Sequence, residues 1–201
     1  MKGNAIQLVG EEIAKRIEAS GIDPKINVYF GPLDVDDAIS GDPRLILFPY
    51  RVSVNADLRN TEHRVPALVP DPHGGIPVVR DEIYDEALPL DVHFVLCGRP
   101  TKPIVQWQGP DALGTAMQRL NDPASRFGLL VEGELVHLSL DTVSTEEMGR
   151  IWSLFPAVNY RTSVVYLASP VWIDPQHPRE TGTPVVHEKY LPRPAPIVER
   201  A

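Results

Sequence analysis

Apolar and polar side chains alternate along residues 45–55, and a second apolar stretch occupies residues 88–96. In the first stretch the polar positions are Arg51, Ser53 and Asn55, and the apolar positions are Tyr50, Val52 and Val54. Because successive side chains of a strand point to opposite faces, this period of two predicts a strand with one buried and one polar face. Pro49 has no N–H for a ladder, so it predicts an edge, a bulge or a bend in this strand.

Apolar residues spaced three and four apart predict helices at residues 4–20, 110–121 and 144–155. Pro110 is expected at the first position of the second helix, and Ser144 with Glu147 forms a capping box at the start of the third. The expected buried positions are Ile6, Val9, Ile13, Ile17, Leu113, Met117, Leu120, Met148, Ile151, Trp152 and Phe155. With further strands at 25–30, 134–140 and 160–173, the order predicts an α+β fold, in which a mixed or antiparallel sheet carries helices on one face.

Two segments rich in proline interrupt these patterns, at residues 60–87 and 174–201. The first is expected to be a long loop that reaches away from the body, and loops of that length are usually functional or mobile. The second holds six of the 21 prolines, which prevent a regular helix or ladder. The chain therefore divides into a domain at residues 1–173 and an extended Pro-rich C-terminal arm at residues 174–201.

Composition narrows the classes of partner. With 19 basic and 27 acidic residues the formal net charge is -8, which opposes binding to nucleic-acid phosphates. The single cysteine, Cys97, excludes an internal disulfide and a multi-thiolate metal site, and its place in an apolar strand predicts a buried, inert thiol. No apolar run approaches the roughly 20 residues of a membrane span, and no signal peptide is visible. We expect a protein made in the cytosol, with no membrane or nucleic-acid partner.

The chain offers few residues for catalysis. Asp91 and His93 lie two apart on one strand face, and the 60–87 segment could cover them as a lid, which is the alternative of a small-ligand-binding or hydrolytic enzyme. However, no further histidine shows metal-ligand spacing. The sequence also lacks the Gly-x-Ser-x-Gly elbow and the Gly-Lys-Ser/Thr phosphate loop. We therefore predict no catalytic residue, no bound metal and no cofactor.

The better candidates are residues for a protein interface. Arg51, Asn55, Arg59 and Asn60 have two interpretations, either shaping the turn and pairing with a carboxylate, or contacting a neighbouring subunit through bidentate arginine contacts. Trp152 is expected in the core from its helical spacing. For Trp107 and Trp172 the sequence leaves two roles open, a core residue or an interface anchor.

Five motifs follow one another in a recognisable order. They are Tyr50-Arg51 leading to Asn-Ala-Asp-Leu-Arg-Asn at 55–60, Leu-Pro-Leu-Asp-Val-His-Phe at 88–94, Leu-Gly-Thr-Ala-Met at 113–117, Trp152-Ser153, and Tyr-Arg-Thr-Ser-Val-Val-Tyr at 160–166. This order resembles the N-terminal domain of the cap, or tail-terminator, proteins of extracellular contractile injection systems of the antifeeding-prophage type.

The resemblance implies a phage tail-terminator-like fold and a structural, non-enzymatic role. Such caps form a homohexameric ring on the last layer of the inner tube and contractile sheath, where the ring stops polymerisation. The implied partners are further copies of the chain and the sheath and tube subunits. The Pro-rich arm could add a strand to a neighbouring sheet. The chain would then be assembled in the cytosol as part of a phage-tail-like particle that can be released from the cell.

Overall fold

The computed structural model describes residues 1–18, 26–34, 44–69, 77–99, 108–122 and 128–179. Within these residues the chain forms three α-helices and eight β-strands. In chain order they are α1 (Ala5–Glu18), β1 (Val28–Phe30), β2 (Leu45–Val54), β3 (His63–Val69), β4 (Val78–Tyr84), β5 (Leu88–Gly98), α2 (Gln108–Leu120), β6 (Leu129–Val131), β7 (Glu134–Asp141), α3 (Thr145–Ser153) and β8 (Ser163–Ile173). The sequence patterns predict all of these except β3, β4 and β6.

Six of the strands form one mixed sheet in the order β1-β2-β5-β8-β7-β6. β1 and β2 are parallel, and every other neighbouring pair in this sheet is antiparallel. β5 lies inside the sheet and is buried from Val92 to Gly98, because helices cover both of its faces. This architecture confirms the predicted α+β fold with a mixed sheet.

The helices pack on both sides of the sheet. α1 and α2 cover the face to which Phe94 and Leu96 of β5 belong, whereas α3 packs on the opposite face, against Val95 and Cys97. We call these the α1/α2 face and the α3 face. The prediction that the helices share one face therefore holds for α1 and α2 and is wrong for α3. An amphipathic stripe shows that a helix needs an apolar surface, but it does not show which face of the sheet supplies it.

β2 contains a bulge, and its residues are more exposed after the bulge than before it. Its register against β5 shifts between Pro49 and Arg51, which confirms the interruption that the proline predicts. Beyond the bulge, Val52 and Val54 lie on the α1/α2 face, yet they are 48% and 47% exposed. The prediction of a buried apolar face along this end of β2 is therefore wrong. β1 pairs only with the first three residues of β2. Among the described residues, no strand lies beside the outer edge of the rest of β2.

Half of the predicted 60–87 loop forms the two paired strands of a β-hairpin. β3 and β4 pair in antiparallel register from His63–Tyr84 to Val69–Val78 and form a separate two-stranded sheet. Pro66 is compatible with β3 because each strand of a two-stranded sheet has one unpaired edge. A proline, which lacks an N–H, loses no ladder hydrogen bond on that edge. The sequence patterns did not predict this hairpin because residues 70–76 between its strands are rich in Pro and Gly, which is typical of a loop. Residues 70–76 lie outside the described part of the chain.

The helix ends agree with the sequence in part. The Ser144 hydroxyl accepts a hydrogen bond of 3.1 Å from the Glu147 N–H, which confirms the predicted cap of α3. Pro110 is the third residue of α2 and not its first, since the helix begins at Gln108. The buried stripe of α1 is confirmed, with Val9, Ile13 and Ile17 fully enclosed, while Gly21, its expected C-cap, lies outside the described residues.

The chain leaves the sheet at Asp174, where the arm is predicted to begin. Its N–H donates a 2.9 Å hydrogen bond to the Met1 carbonyl, and the Arg179 N–H donates one of 2.7 Å to the Ile83 carbonyl of β4. Residues 174–179 therefore contact the body of the protein. The division at residue 173 stays a prediction, and residues 180–201 lie outside the described part of the chain.

Candidate functional site

Asn55, the last of the predicted polar positions of β2, shapes the turn that follows it. Its side-chain carbonyl accepts hydrogen bonds from the N–H groups of Asp57 and Leu58, at 3.1 and 3.2 Å. Its Nδ2 donates to Asp91 Oδ1 at 3.0 Å and contacts Ser169 Oγ at 3.3 Å. These contacts fulfil the turn-shaping interpretation for Asn55.

The other members of the polar group are accessible to solvent. Arg51 has an exposed side chain, with its Nη1 3.7 Å from Glu147 Oε1 on α3, so it pairs with a carboxylate as its first interpretation expects. Arg59 and Asn60 are exposed in the turn after β2. These four of the six predicted interface residues thus share one end of the sheet, and three of the four are exposed and can reach a partner. Their role as an interface stays a prediction.

Trp107 and Trp172 are the two tryptophans for which the sequence leaves two roles open. Trp107 lies outside the described residues. Trp172 is buried near the end of β8, and its indole stacks on the imidazole of His63 with ring centroids 4.3 Å apart and planes 10° apart. Of its two predicted roles, the structure therefore favours the core for Trp172. Trp152 is also buried, and its Nε1 donates to Ser163 Oγ at 3.2 Å.

Asp91 and His93 do not form the ligand site of the enzymatic alternative. Asp91 Oδ1 is held by Asn55 and by the Ser169 hydroxyl, which donates to it at 2.5 Å. His93 instead lies 3.4 Å from Asp141, and its ring packs edge-on against Tyr50 with centroids 6.0 Å apart. The two side chains therefore have separate sets of partners.

The described residues of the 60–87 segment also do not form a lid over Asp91 and His93. Its first strand begins at His63, which stacks on Trp172, a member of the core beneath α1 and α2. His93 belongs to the other side of the sheet, because its position in β5 matches Val95 and Cys97 under α3. The base of the hairpin and the proposed ligand face are therefore on opposite sides of the sheet, which contradicts the lid interpretation for the described residues of the segment.

A cluster of charged groups that the sequence did not indicate joins four parts of the fold. His63 Nδ1 lies 2.6 Å from Asp174 Oδ1, and its Nε2 lies 3.2 Å from Glu134 Oε2. The N-terminal ammonium of Met1 donates to Glu134 Oε1 at 2.8 Å and to Asp174 Oδ2. We call this group the His63 clasp, because it connects β3, β7, the end of β8 and the N-terminus. No spacing could reveal it, since its members are far apart in sequence.

The clasp shifts the pKa values of its own groups. Burial disfavours the imidazolium of His63, but the hydrogen bonds with Glu134 and Asp174 outweigh it, so the pKa of His63 is raised. Burial likewise opposes the ionised form of Glu134, but the hydrogen bonds from His63 and the N-terminal amine win, and its pKa is lowered. The same balance raises the pKa of the Met1 amine. These shifts favour the charged forms of His63, Glu134 and the Met1 amine.

The clasp borders an open cavity of about 460 Å³ that Met1, Lys2, Tyr84, Glu134 and Asp174 help to line. Ligand atoms of His63, Glu134 and Asp174 lie within 4.8 Å of one another, a spacing at which such groups can hold a metal ion. The Met1 ammonium already contacts both carboxylates. The arrangement thus has its cation, and it behaves as an ion-pair network that fastens the hairpin to the body.

The Cys97 thiol, a second cavity and the length of the helices also limit what this chain can bind or react with. Burial raises the pKa of the Cys97 thiol to about 11, which agrees with the inert thiol expected from the sequence. A second cavity of about 430 Å³ lies beside α3 and is lined by Val143, Met148, Gly149 and Tyr160, among others. No helix in the described part of the chain is long and apolar enough to cross a membrane.

Comparisons with known proteins agree with the sequence motifs. Over its whole length, the chain resembles a solved sheath/tube terminator of an extracellular contractile injection system (PVC, extended state), with 14% identity and a TM-score of 0.57. Over 92% of its length it resembles the tube-terminating cap of the anti-feeding prophage, with 11% identity and a TM-score of 0.53. The chain covers 64% and 60% of those two proteins, so it spans less than two thirds of either.

At these identities the structural similarity establishes the fold, which is that of the tail-terminator caps. A search of curated protein sequences found no match. The model of the Pvc16 N-terminal domain family matches residues 7–187, which is most of the chain. The protein belongs to the Pvc16 N-terminal domain family.

Proposed function

We propose that this chain is the terminator domain of a structural cap that ends the inner tube and contractile sheath of a phage-tail-like contractile injection system. The observation that carries the proposal is the fit of the entire chain to a sheath/tube terminator, together with its family. Because the chain covers only part of that protein, the proposed role is the one that resides in the shared region.

The mechanism is geometric. A growing tube or sheath exposes a surface that would add subunits without limit, and a ring that fits this surface but does not repeat it closes the assembly. We infer a homohexameric ring whose partners are its own copies and the sheath and tube subunits. The exposed residues Arg51, Arg59 and Asn60 supply polar contacts at one end of the sheet, where arginine suits an interface. Assembly would take place in the cytosol, before release of the particle.

The arrangement of the described side chains supports a structural role over an enzymatic one. Asp91 is held by Asn55 and Ser169, and His93 faces Asp141, so neither is presented with the other to a ligand. The His63 clasp pairs two carboxylates with two cations, an arrangement that suits a connection between parts of the fold.

Microscopy of particles from a strain that lacks this gene tests the proposal. We expect sheathed particles of uneven length, or particles without a closed end, and restoration by the parent gene. An Arg51→Glu, Arg59→Glu double variant should restore closure poorly, because it reverses two exposed charges at the proposed contact. Arg150→Glu on the exposed side of α3 is the matched control and should restore closure fully. Particles of normal length and closed ends in the deletion strain would refute the capping role.

A further inference from the structure

We infer that one copy of this chain joins the next through two different open edges of its sheet. The inference rests on the proposed ring and specifies how the ring is joined. β1 pairs only with residues 45–47 of β2, and β6 pairs only with residues 134–136 of β7. We call residues 48–54 the β2 edge and residues 137–141 the β7 edge. No strand of the described chain pairs with the outer side of either edge.

The β2 edge and the β7 edge lie at the two lateral ends of the sheet and at the same level along the strands. Arg51 pairs with His93, His93 with Leu167, and Leu167 with Ser139, so one row of residues crosses the sheet from the β2 edge to the β7 edge. Each of these three strand pairings is antiparallel. β7 therefore runs antiparallel to β2. In a ring, the β7 edge of one copy would meet the β2 edge of its neighbour as an ordinary antiparallel pair.

The side chains of the two edges match face by face. On the α1/α2 face the β2 edge carries Val52 and Val54, and the β7 edge carries Leu138 and Leu140. An antiparallel register can set Val52 opposite Leu140 and Val54 opposite Leu138. All of these side chains except that of Leu138 are about half exposed. On the α3 face, the β2 edge carries Arg51 and Ser53, and the β7 edge carries Ser139 and Asp141. Joining the edges would cover the apolar side chains and place an arginine on the same side as an aspartate.

The backbone of the β2 edge is oriented for such a pairing. The Asn55 N–H donates to the Pro89 carbonyl at 2.8 Å, so Asn55 and Ser53 direct their backbone groups toward β5. Because these directions alternate along a strand, Val52 and Val54 direct their N–H and C=O groups outward. An edge strand with outward backbone groups and exposed valines invites pairing with another strand. Since the two edges differ, the contact is head-to-tail, which is the type that closes into rings.

Paired cysteines test this arrangement. Val52→Cys and Leu140→Cys place one thiol on each edge, and within one chain they are three strand spacings apart, about 14 Å, too far for a disulfide. The native Cys97 is buried and gives a low background. On oxidation of the full-length chain, we expect the double variant to form a ladder of multimers that ends at the ring. Each single variant should stay uncrosslinked alone, and a mixture of the two should stop at dimers.

The outcomes separate failure of the interface from failure of the ring. Rings visible by negative stain but without a ladder would overturn the edge contact and leave the capping proposal standing. Homodimers of either single variant would also overturn it, because they indicate a symmetric contact. Absence of rings, both free and on particle ends, would overturn both proposals together.

Charged substitutions provide a second test. A lysine on an exposed edge blocks strand addition, so Val54→Lys and Leu140→Lys should each abolish the ring while the circular dichroism spectrum stays that of the parent. Leu68→Lys is the matched control, since Leu68 is exposed on β3, in the separate two-stranded sheet. Rings that persist in both edge variants would refute the inference.

Discussion

The imidazole of His63 lies flat against the indole of Trp172, with ring centroids 4.3 Å apart. The stack holds the ring where its two nitrogens reach Asp174 and Glu134. One histidine thus fastens the start of the hairpin to the end of β8 and the start of β7. Because the pKa of His63 is raised and that of Glu134 is lowered in the folded chain, this connection must depend on pH.

The His63→Gln substitution isolates that dependence. The raised pKa of His63 means that its stabilising effect is fully present below pH 6.5 and is lost as the pH rises through its folded-state pKa. The lowered pKa of Glu134 means that its own effect is present above pH 4.5 and is lost as the pH falls through its folded-state pKa. We therefore expect the parent to exceed the variant in melting temperature most clearly at about pH 5.5, and less at about pH 8.5. The N-terminal amine and Tyr84 also have raised pKa values, but both groups are present in the parent and in the variant. The difference between the two proteins therefore reports on His63. A difference that does not vary with pH would show that His63 acts by packing on Trp172 alone.

Trp152 tests the position of α3. Its indole is buried against the α3 face and contacts Tyr160 edge-on at 5.7 Å. Trp152→Ala should lower the free energy of unfolding by roughly 3–5 kcal/mol, because it leaves a large cavity. Leu154→Ala, two residues later and exposed, should change it by less than about 0.5 kcal/mol. Urea unfolding of both variants provides the comparison, and equal stabilities would contradict the placement of this helix face.

The sequence predicted α3 well and its surroundings less well. The Ser144 cap and the spacing of Ile151 and Trp152 are local signals, and they were sufficient for the helix and its buried side. The face of the sheet that receives α3 depends on strand order, which involves residues far apart in the chain. The same limit explains why alternation in β2 gave the correct strand but the wrong burial for Val52 and Val54. A pattern identifies a potential buried face, and tertiary packing decides whether something covers it.

Neither the hairpin nor the His63 clasp could be predicted from sequence patterns. The connection at residues 70–76 is rich in proline and glycine, which favours a loop over two short strands. The clasp unites His63, Glu134 and Asp174, which are 71 and 40 positions apart, and none of them has a characteristic motif. Their proximity follows only once the sheet order has been determined.

Arg119 is predicted to hold the two helices of the α1/α2 face together. Its side chain is buried, and its Nη1 donates a hydrogen bond to the Ile17 carbonyl in the last turn of α1. Arg119→Met keeps an apolar stem of similar length but leaves that carbonyl without this donor. We expect a loss of about 1.5–3 kcal/mol in the free energy of unfolding, as for a hydrogen bond to a charged group. Arg150→Met, which removes an exposed pair with Glu146, is the control and should be nearly neutral. A neutral Arg119 variant would show that the α1 terminus is satisfied in another way.

Truncations at two places separate the folding and attachment roles of the C-terminal segment. Asp174 contacts His63 and Met1, and Arg179 binds the hairpin through the Ile83 carbonyl. A chain that ends after Arg179 keeps these contacts, so its melting temperature should match that of the parent. A chain that ends after Ile173 loses Asp174 from the clasp and leaves His63 with one carboxylate, so it should melt at a lower temperature. Both truncations remove the Pro-rich residues beyond 180, and we expect both to be retained poorly on particle ends, as judged by microscopy. If the chain that ends after Arg179 caps particles as well as the parent, attachment belongs to the domain body. If the chain that ends after Ile173 is as stable as the parent, the clasp contributes nothing to folding, and the boundary at residue 173 is the correct one.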